Sequence, residues 1–431
     1  MKQRDSYLLN LLIVFSLMIG YLLLPITAFA KEGADTFSVN ASAAIAVDMD
    51  SGKILYNHNA EEALGIASMT KIISAYIIYR EIDEGHLTWD DTVTIDKDLD
   101  KSSKNPDLSN VPLNSKLTYT VKDLLEASLI SSANAATSAL ARKVSGSEPD
   151  FVDLMRQQLL DWDIQDAYII SASGLGTEDM VGPAYPQSKK TDENMMSARS
   201  MAIVTYHVLT DYPEILDISK TPSHTFFPDT KHEYTFWNSN DMLPGFYYAY
   251  DGVDGLKTGT TPLAGNCFVG TAVQNNQRII TVVMDVDEDI SRFEETGRLM
   301  DYAFNQWSYQ KVASKGEASI TPKLDTLRGV EHEADIVLSD DLFVWLEKDN
   351  AKIKRFFEED KKQVNSRKEV VAPKKAGYEV GTEYVFNKND TLGYLLKEQE
   401  TTATSKVVLK KPLEKNTYLA NLWRQLFPKK K

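Results

Sequence analysis

SMTK, residues 68–71, stands near the start of a helix-forming run that continues to Ile82. In a helix, Ser68 and Lys71 lie one turn apart and share a face. A serine hydroxyl needs a base before it becomes a good nucleophile, and Lys71 can be that base if burial and a nearby cation keep it neutral. By itself, the tetrad also fits an ordinary helix in which the serine is the cap and the lysine is exposed to solvent. The run carries an apolar stripe at helical spacing: Ile72, Ile73, Tyr76, Ile77 and Tyr79.

Two later segments favour the chemical interpretation of the tetrad. Ser132-Ala133-Asn134 lies in an alanine-rich stretch, 131–141, that we predict to be helical. Lys257-Thr258-Gly259 ends a predicted strand at 255–258 and precedes another at 266–273. Ser-x-x-Lys, Ser-x-Asn and Lys-Thr-Gly, in this order, form the active-site set of penicillin-binding proteins and serine β-lactamases.

Composition limits the remaining function classes. With 431 residues, the chain has room for two domains, and 43% hydrophobic with 25% charged residues is typical of a globular protein. A formal net charge of −15 argues against nucleic-acid binding. The six histidines show no metal-ligand spacing, so we expect no metal site and no cofactor. The single cysteine, Cys267, excludes an internal disulfide and is predicted to be a small buried hydrophobe.

Residues 1–30 have the pattern of a signal peptide. Lys2 and Arg4 precede an apolar run at 11–24, and Ala28-Phe29-Ala30 provides small residues for cleavage. The alternative is an uncleaved anchor, but the run is short for a membrane span. We therefore predict export, with the mature chain starting near Lys31.

The order of predicted elements indicates a mixed α/β fold. A hairpin at 43–48 and 53–56 leads into the SMTK helix, and further helices are predicted at 121–128, 150–160 and 198–209. A strand is predicted at 167–170, a third late strand at 279–286, and a closing helix at 292–307. These elements predict a catalytic domain at 38–312, with an antiparallel sheet flanked by helices. Alternating hydrophobicity then predicts a smaller β-rich domain at 316–410.

The chain ends in a predicted amphipathic helix within 411–431. Three lysines, 429–431, follow its apolar side, which suits a helix lying in the membrane interface. The alternative is a helix packed on the β-rich domain. The predicted membrane-facing residues are Tyr418, Leu419, Leu422, Trp423, Leu426 and Phe427.

The sequence resembles the low-molecular-mass penicillin-binding proteins that act as D-alanyl-D-alanine carboxypeptidases, most closely those of streptococcal type. The resemblance runs from about residue 43 to 307 and extends to the β-rich domain and the terminal helix. Four stretches carry it: AIAVDMDSGKILYNHNAEE, ASMTKIISAYI, YTVKDLLEASLISSANAA and VDGLKTGTTPLAGNCFVGTA.

The resemblance implies a role for each motif residue. Ser68 is expected to attack the carbonyl between the terminal D-alanines of a peptidoglycan stem pentapeptide, and Lys71 to take its proton. Ser132 is expected to pass a proton to the leaving D-alanine, and Lys257 to keep the local field positive. The backbone N–H groups of Ser68 and Thr260 are expected to form the oxyanion hole. The expected substrate-binding residues are Asn134, Thr258, Gly259 and Thr260.

It also implies partners and a location. β-Lactams are expected to acylate Ser68 and to remain bound there. The enzyme is expected at the extracytoplasmic face of the membrane, attached peripherally through its terminal helix. Two positions depart from many relatives, with Ile66 in place of a proline and Ala135 in place of an aspartate. Arg292 is left open as a carboxylate partner or a helix cap.

Two alternatives stay open at this point. A class A-like β-lactamase shares the three motifs, but it uses a glutamate to deacylate, and residues 168–173 (YIISAS) contain no acid. A catalytically silent cell-wall scaffold is the second alternative, and the intact motif residues argue against it. A transpeptidase side activity is compatible with the same acyl-enzyme.

Overall fold

The computed structural model describes residues 37–417, except for 288 and 402–403. The predicted signal peptide and the apolar residues of the predicted terminal helix, 418–427, lie outside the described residues. Within the described ranges, no helix has the length and apolar character needed to cross a membrane.

Helices and strands are interspersed from residue 41 to 306, and strands dominate thereafter. The α-helices are α1 Lys71–Asp83, α2 Lys97–Ser102, α3 Val121–Ile130, α4 Asn134–Ser145, α5 Glu148–Asp161, α6 Ala198–Asp211, α7 Ile215–Ser219 and α8 Arg292–Gln306. The strands are β1 Ala41–Asp48, β2 Ile54–His58, β3 Ala63–Gly65, β4 Thr92–Val93, β5 Tyr119–Thr120, β6 Met195–Ser197, β7 Ser223–Phe226, β8 Tyr234–Trp237, β9 Val253–Thr261, β10 Gly265–Gln274, β11 Gln277–Val286, β12 Trp307–Ala313, β13 Ala318–Leu327, β14 Glu333–Leu338, β15 Leu342–Glu347, β16 Ile353–Glu359, β17 Val370–Val371, β18 Glu379–Asn387 and β19 Thr404–Leu409.

A five-stranded antiparallel sheet, in the order β2-β1-β11-β10-β9, has helices on both faces. Because side chains alternate along a strand, Ile280, Val282 and Met284 of β11 enter the main core, which also contains residues of α1 and α6. On the other face, the β10 ring of Phe268 packs edge-on against Phe293 of α8 at 5.3 Å. This arrangement leaves β9, which carries Lys-Thr-Gly, at the edge of the sheet.

The helix predicted at the SMTK motif and the helix predicted at 121–128 are confirmed, with short extensions. Ala67–Thr70 forms one 3-10 turn that leads directly into α1, whose residues 71–79 are all buried. The start of α3 is a capping box, in which the Thr120 hydroxyl accepts from the Asp123 N–H and the Asp123 carboxylate accepts from the Thr120 N–H.

Two local predictions are wrong. The stretch 131–141 is not helical throughout, because α4 begins at Asn134 and Ser132 precedes it with φ +59°. The N–H of Asn134 bonds instead to the Ser109 carbonyl, across the cleft-facing loop. The predicted strand at 167–170 is reduced to an isolated bridge between Tyr168 and Met195. The side chain of Asn194 accepts the N–H groups of residues 170 and 171, so no strand ladder continues there.

The predicted β-rich part is confirmed as a six-stranded sheet, in the order β16-β18-β19-β14-β13-β17, with its own core. Its contact with the first part includes Lys53, which is fully buried in the turn between β1 and β2. The Lys53 ammonium pairs with Asp390 at 3.1 Å and donates to the Gly393 carbonyl at 2.9 Å. The domain boundaries 38–312 and 316–410 themselves stay predictions.

Candidate active site

The side chains of Ser68 and Lys71 meet at the junction between the 3-10 turn and α1. Lys71 Nζ lies 2.8 Å from Ser68 Oγ. The lysine side chain is fully buried, whereas Ser68 lines an open cleft. The turn begins with an uncommon backbone conformation, with φ +43° at Ala67. The serine hydroxyl is therefore presented to solvent with its amine partner beneath it.

Lys71 Nζ has two further partners, both carbonyl oxygens. It donates to Asn134 Oδ1 at 2.7 Å and to the backbone oxygen of Ser173 at 2.7 Å. A neutral amine has two hydrogens and one lone pair, so these two acceptors use both hydrogens and turn the lone pair toward the Ser68 hydroxyl. Burial, together with the nearby Lys257 ammonium, lowers the pKa of Lys71 well below its usual value. Lys71 is thus arranged to accept the serine proton.

The second motif also borders the cleft, at the start of α4. Ser132 lies in the short connection between α3 and α4, is 5% exposed, and lines the cleft. Asn134 is the first residue of α4 and is also buried. Its side-chain oxygen contacts Lys71, so the first two motifs are joined by a direct hydrogen bond. The structure therefore brings Ser68, Lys71, Ser132 and Asn134 together.

The third motif forms the wall of the cleft along β9. Lys257 is buried and donates to the Thr258 carbonyl at 3.1 Å, and burial next to the Arg292 guanidinium lowers its pKa to about 7. Thr258 Oγ1 lies 2.8 Å from Ser239 Oγ, and Thr260 is exposed toward the cleft. A Cβ on Gly259 would lie 2.9 Å from the carbonyl oxygen of Ile66. A glycine is needed there because β9 packs directly against the backbone that carries Ser68.

These segments enclose a cleft of about 280 Å³ whose surface is mostly polar. The lining residues combine hydroxyl groups with one guanidinium and one carboxylate. They are Ser68, Ser109, Ser131, Ser132, Ser239, Asp241, Thr258, Gly259, Thr260, Arg292 and Phe293. All predicted site residues except the buried Lys71, Asn134 and Lys257 reach this surface, and those three lie directly behind it.

Arg292, which the sequence left open, belongs to the cleft. Its guanidinium donates to the carbonyls of Gly259 at 2.7 Å and Cys267 at 3.0 Å, and to Asn266 Oδ1 at 2.7 Å. The cap of α8 is instead Ser291, whose hydroxyl accepts the Phe293 N–H. A cation in the first turn of a helix is unfavourable, because the N-terminal end of the helix dipole is positive. This feature of the sequence could have indicated that Arg292 has a role outside the helix.

Gly174 is expected to be intolerant of substitution. It has φ +86°, and a Cβ would lie 1.9 Å from the Ala67 carbonyl oxygen, next to Ser68. We expect Gly174→Ala to lower the rate of acylation by penicillin at least about tenfold, since the Ala67–Ser68 peptide must move, and to lower the melting temperature. Gly245→Ala is the matched control, because Gly245 has φ +92° with nothing within 4 Å. Equal acylation rates in the two variants would show that the collision is harmless.

A serine bonded to a buried lysine, between a helical core and the edge strand of an antiparallel sheet, defines the class of serine acyl-transfer enzymes that includes the penicillin-binding proteins. Comparison with known families is more specific. Residues 29–288 match the family model described as D-alanyl-D-alanine carboxypeptidase. The chain belongs to this family and is a serine-type D-alanyl-D-alanine carboxypeptidase, a hydrolase.

Curated relatives and solved structures agree with this assignment. The chain is 26% identical to D-alanyl-D-alanine carboxypeptidase DacF of Bacillus subtilis (strain 168), over 95% of this chain and 97% of that one. It is 32% identical to DacC of Escherichia coli (strain K12), over 64% and 65% of the two chains. A Streptococcus pneumoniae structure described as a peptidoglycan synthesis regulatory factor (PBP3) is 36% identical, with a TM-score of 0.68, covering 88% of this chain and all of that one. The resemblance to low-molecular-mass penicillin-binding proteins, streptococcal members included, is confirmed.

Proposed function

We propose that Ser68 is the nucleophile and Lys71 its general base, acting on the D-alanyl-D-alanine end of a peptidoglycan stem pentapeptide. The observation that carries the proposal is the 2.8 Å contact between Ser68 Oγ and a fully buried Lys71 Nζ. As Ser68 Oγ attacks the carbonyl carbon, its proton moves to Lys71. The resulting tetrahedral intermediate collapses to an acyl-enzyme and releases D-alanine, and water then hydrolyses the ester.

Ser132, Asn134 and Lys257 complete the proton path in this proposal. Ser132 lines the cleft and would carry the proton from Lys71 to the departing amine. Asn134 would hold Lys71 and receive the substrate amide. Lys257 stabilises neutral Lys71 through its positive charge, which is one of the causes of the lowered pKa of Lys71.

The remaining contacts would hold the substrate. The backbone N–H groups of Ser68 and Thr260 would stabilise the oxyanion, each contributing roughly 3 kcal/mol by comparison with other acyl-transfer sites. Thr258, Gly259 and Thr260 would bind the terminal peptide along β9, with the hydroxyls of the two threonines meeting its carboxylate. The Arg292 guanidinium adds positive charge to this end of the cleft.

β-Lactams are proposed as covalent inhibitors of the same serine. Structures of penicillin-binding protein D2 from Listeria monocytogenes, 28% identical with TM-scores of 0.53 and 0.52, are described as cefotaxime-bound and ampicillin-bound forms. Residues 168–173 offer no side-chain acid to activate a deacylating water. The adduct is therefore expected to persist, unlike that of a class A-like β-lactamase.

We also propose that the enzyme is exported and attached peripherally to the outer face of the membrane through residues 411–431. The support is the sequence pattern of Tyr418, Leu419, Leu422, Trp423, Leu426 and Phe427, followed by three lysines. The full chain should therefore sediment with vesicles of phosphatidylglycerol, and Trp423→Glu should weaken this binding at least about fivefold. Equal sedimentation of both proteins would favour the alternative of a helix packed on the β-rich part.

Mass spectrometry of the mature protein tests the catalytic proposal. The protein is incubated with diacetyl-Lys-D-Ala-D-Ala and, separately, with benzylpenicillin. Release of D-alanine, together with a lasting penicilloyl group on the peptide that contains Ser68, is the expected result. Rapid penicillin turnover without an adduct would indicate a β-lactamase. The absence of both the adduct and D-alanine release would favour the scaffold interpretation.

A further inference from the structure

A buried carboxylate that no motif predicts lies behind the active-site lysine. Glu148 is the first residue of α5 and is 4% exposed. Burial raises the pKa of this carboxyl group, while two hydrogen bonds oppose the shift by stabilising its ionised form: Oε1 accepts the Ala172 N–H at 3.0 Å, and the Ser138 hydroxyl donates as well. Among the described residues, no basic side chain lies within salt-bridge distance of Glu148. A buried acid in this situation is costly to the fold unless other charges compensate it.

Two basic side chains act on Glu148 at longer range, Arg142 and, when it is protonated, Lys71. Arg142 is already paired with Asp96 at 2.8 Å and Asp98 at 3.0 Å. Lys71, in contrast, has only neutral hydrogen-bond partners. When protonated, Lys71 is therefore the basic group near Glu148 whose charge no other acid of the described residues offsets at close range.

The backbone joins Glu148 to the lysine through one short segment. Ala172, whose N–H is bonded to Glu148, also accepts the Ser74 hydroxyl at 2.6 Å on its carbonyl. The next residue, Ser173, supplies the carbonyl that accepts from Lys71 Nζ at 2.7 Å. Since residues 171–173 belong to no helix or strand, these side-chain bonds fix the position of the Ser173 carbonyl.

We propose that Glu148 is a positioning residue for acylation, which holds the Ala172–Ser173 segment in place and counterbalances the charge of Lys257 around Lys71. The inference rests on the roles of Ser68 and Lys71 proposed above. Glu148 would touch neither substrate nor the reacting atoms, and it would act only through Lys71.

The two charges act on Lys71 in opposite directions. Lys257 lowers the pKa of Lys71, and ionised Glu148 raises it. Acylation requires neutral Lys71, so its rate increases as pH rises through the pKa of the coupled lysines. Removing the negative charge of Glu148 lowers the pKa of Lys71. The acid side of the pH–rate profile must then move to lower pH.

The test compares the pH dependence of acylation by benzylpenicillin in Glu148→Gln and in the wild type. Rates are normalised to the concentration of active sites, which is measured by titration with penicillin. The glutamine oxygen can still accept the Ala172 N–H, and the Ser138 hydroxyl can turn to accept from the new amide group, so the main change is the loss of charge. We expect the acid limb to move down by at least about 0.5 pH unit, which corresponds to about threefold faster acylation on the limb. Glu148→Ala loses the acceptor as well, and should show the same direction of shift with a lower plateau.

Glu383→Gln is the control for loss of a buried carboxylate. Glu383 is fully buried in the β-rich part, bonded to Ser319 and Arg355, and its variant should keep the wild-type limb. An unshifted limb in Glu148→Gln would overturn the inference, whereas no acylation of the wild type would instead overturn the proposed function. If Glu148→Gln does not fold, ¹³C titration of Glu148 provides the second measurement. Lys71→Met should raise the pKa of that carboxyl group, and an unchanged titration would also overturn the inference.

Discussion

Ser68→Ala is expected to abolish the lasting penicilloyl adduct and to lower kcat/KM for D-alanine release by at least about three orders of magnitude. The physical reason is that no other described hydroxyl lies within hydrogen-bonding distance of Lys71 Nζ. The remaining groups of the cleft could still bind the peptide. Binding without a nucleophile therefore predicts a large loss of kcat with a smaller change in KM.

The measurement pairs D-alanine release with intact-protein mass spectrometry. Thr225→Val is a suitable control, since the Thr225 hydroxyl bonds to the Thr235 hydroxyl on the β7–β8 hairpin and not to Lys71. Its adduct and release rate should match those of the wild type. A penicilloyl group of undiminished yield on Ser68→Ala would mean that another residue is the nucleophile.

Lys71→Met is expected to give the second-largest effect, a loss of about 10²- to 10⁴-fold in the rate of acylation. Methionine has a similar length and can occupy the buried site, but it cannot accept the serine proton. It also leaves Asn134 Oδ1 and the Ser173 carbonyl without their donor, so a moderate loss of stability accompanies the loss of rate. Stopped-flow acylation, with the melting temperature measured in parallel, separates the two effects.

The double variant tests whether the serine and the lysine act as one unit. Groups that act together are strongly non-additive, so Ser68→Ala/Lys71→Met should be no slower than Ser68→Ala alone within about threefold. Multiplication of the two single losses would contradict the assignment of Lys71 as the base for Ser68.

Much of the fold could be predicted from the sequence because the relevant interactions are local. The apolar stripe of α1 and the Thr120–Asp123 capping box depend on residues three or four positions apart. The late antiparallel strands also follow from a local pattern, the mostly apolar run at 279–286 between turn residues. The three motifs predicted the cleft because residues of fixed spacing identify this chemistry.

The missed features depend on contacts between residues distant in sequence. The Ser173 carbonyl is 102 residues from Lys71, and a backbone oxygen leaves no mark in the sequence. Glu148 looks like an ordinary acid in the first turn of a helix, where acids are favoured, so nothing indicated its burial. The prediction of a helix at Ser132 was wrong for a related reason. Alanine-rich composition predicts helix, but loop 105–114 accepts the N–H groups of Asn134 and Ala135, so the helix begins only at Asn134.

The buried thiol of Cys267 makes it possible to measure how fast the structure next to the active-site strand β9 opens. Cys267 lies opposite Gly259 in the β9–β10 ladder, is inaccessible to solvent, and burial raises its pKa to about 11. Its Sγ donates to the backbone oxygens of Gly65 and Ala264. A thiol reagent can modify it only when this packing opens, and the chain has no second cysteine to obscure the reaction. The labelling rate therefore reports the rate of local unfolding next to Lys-Thr-Gly.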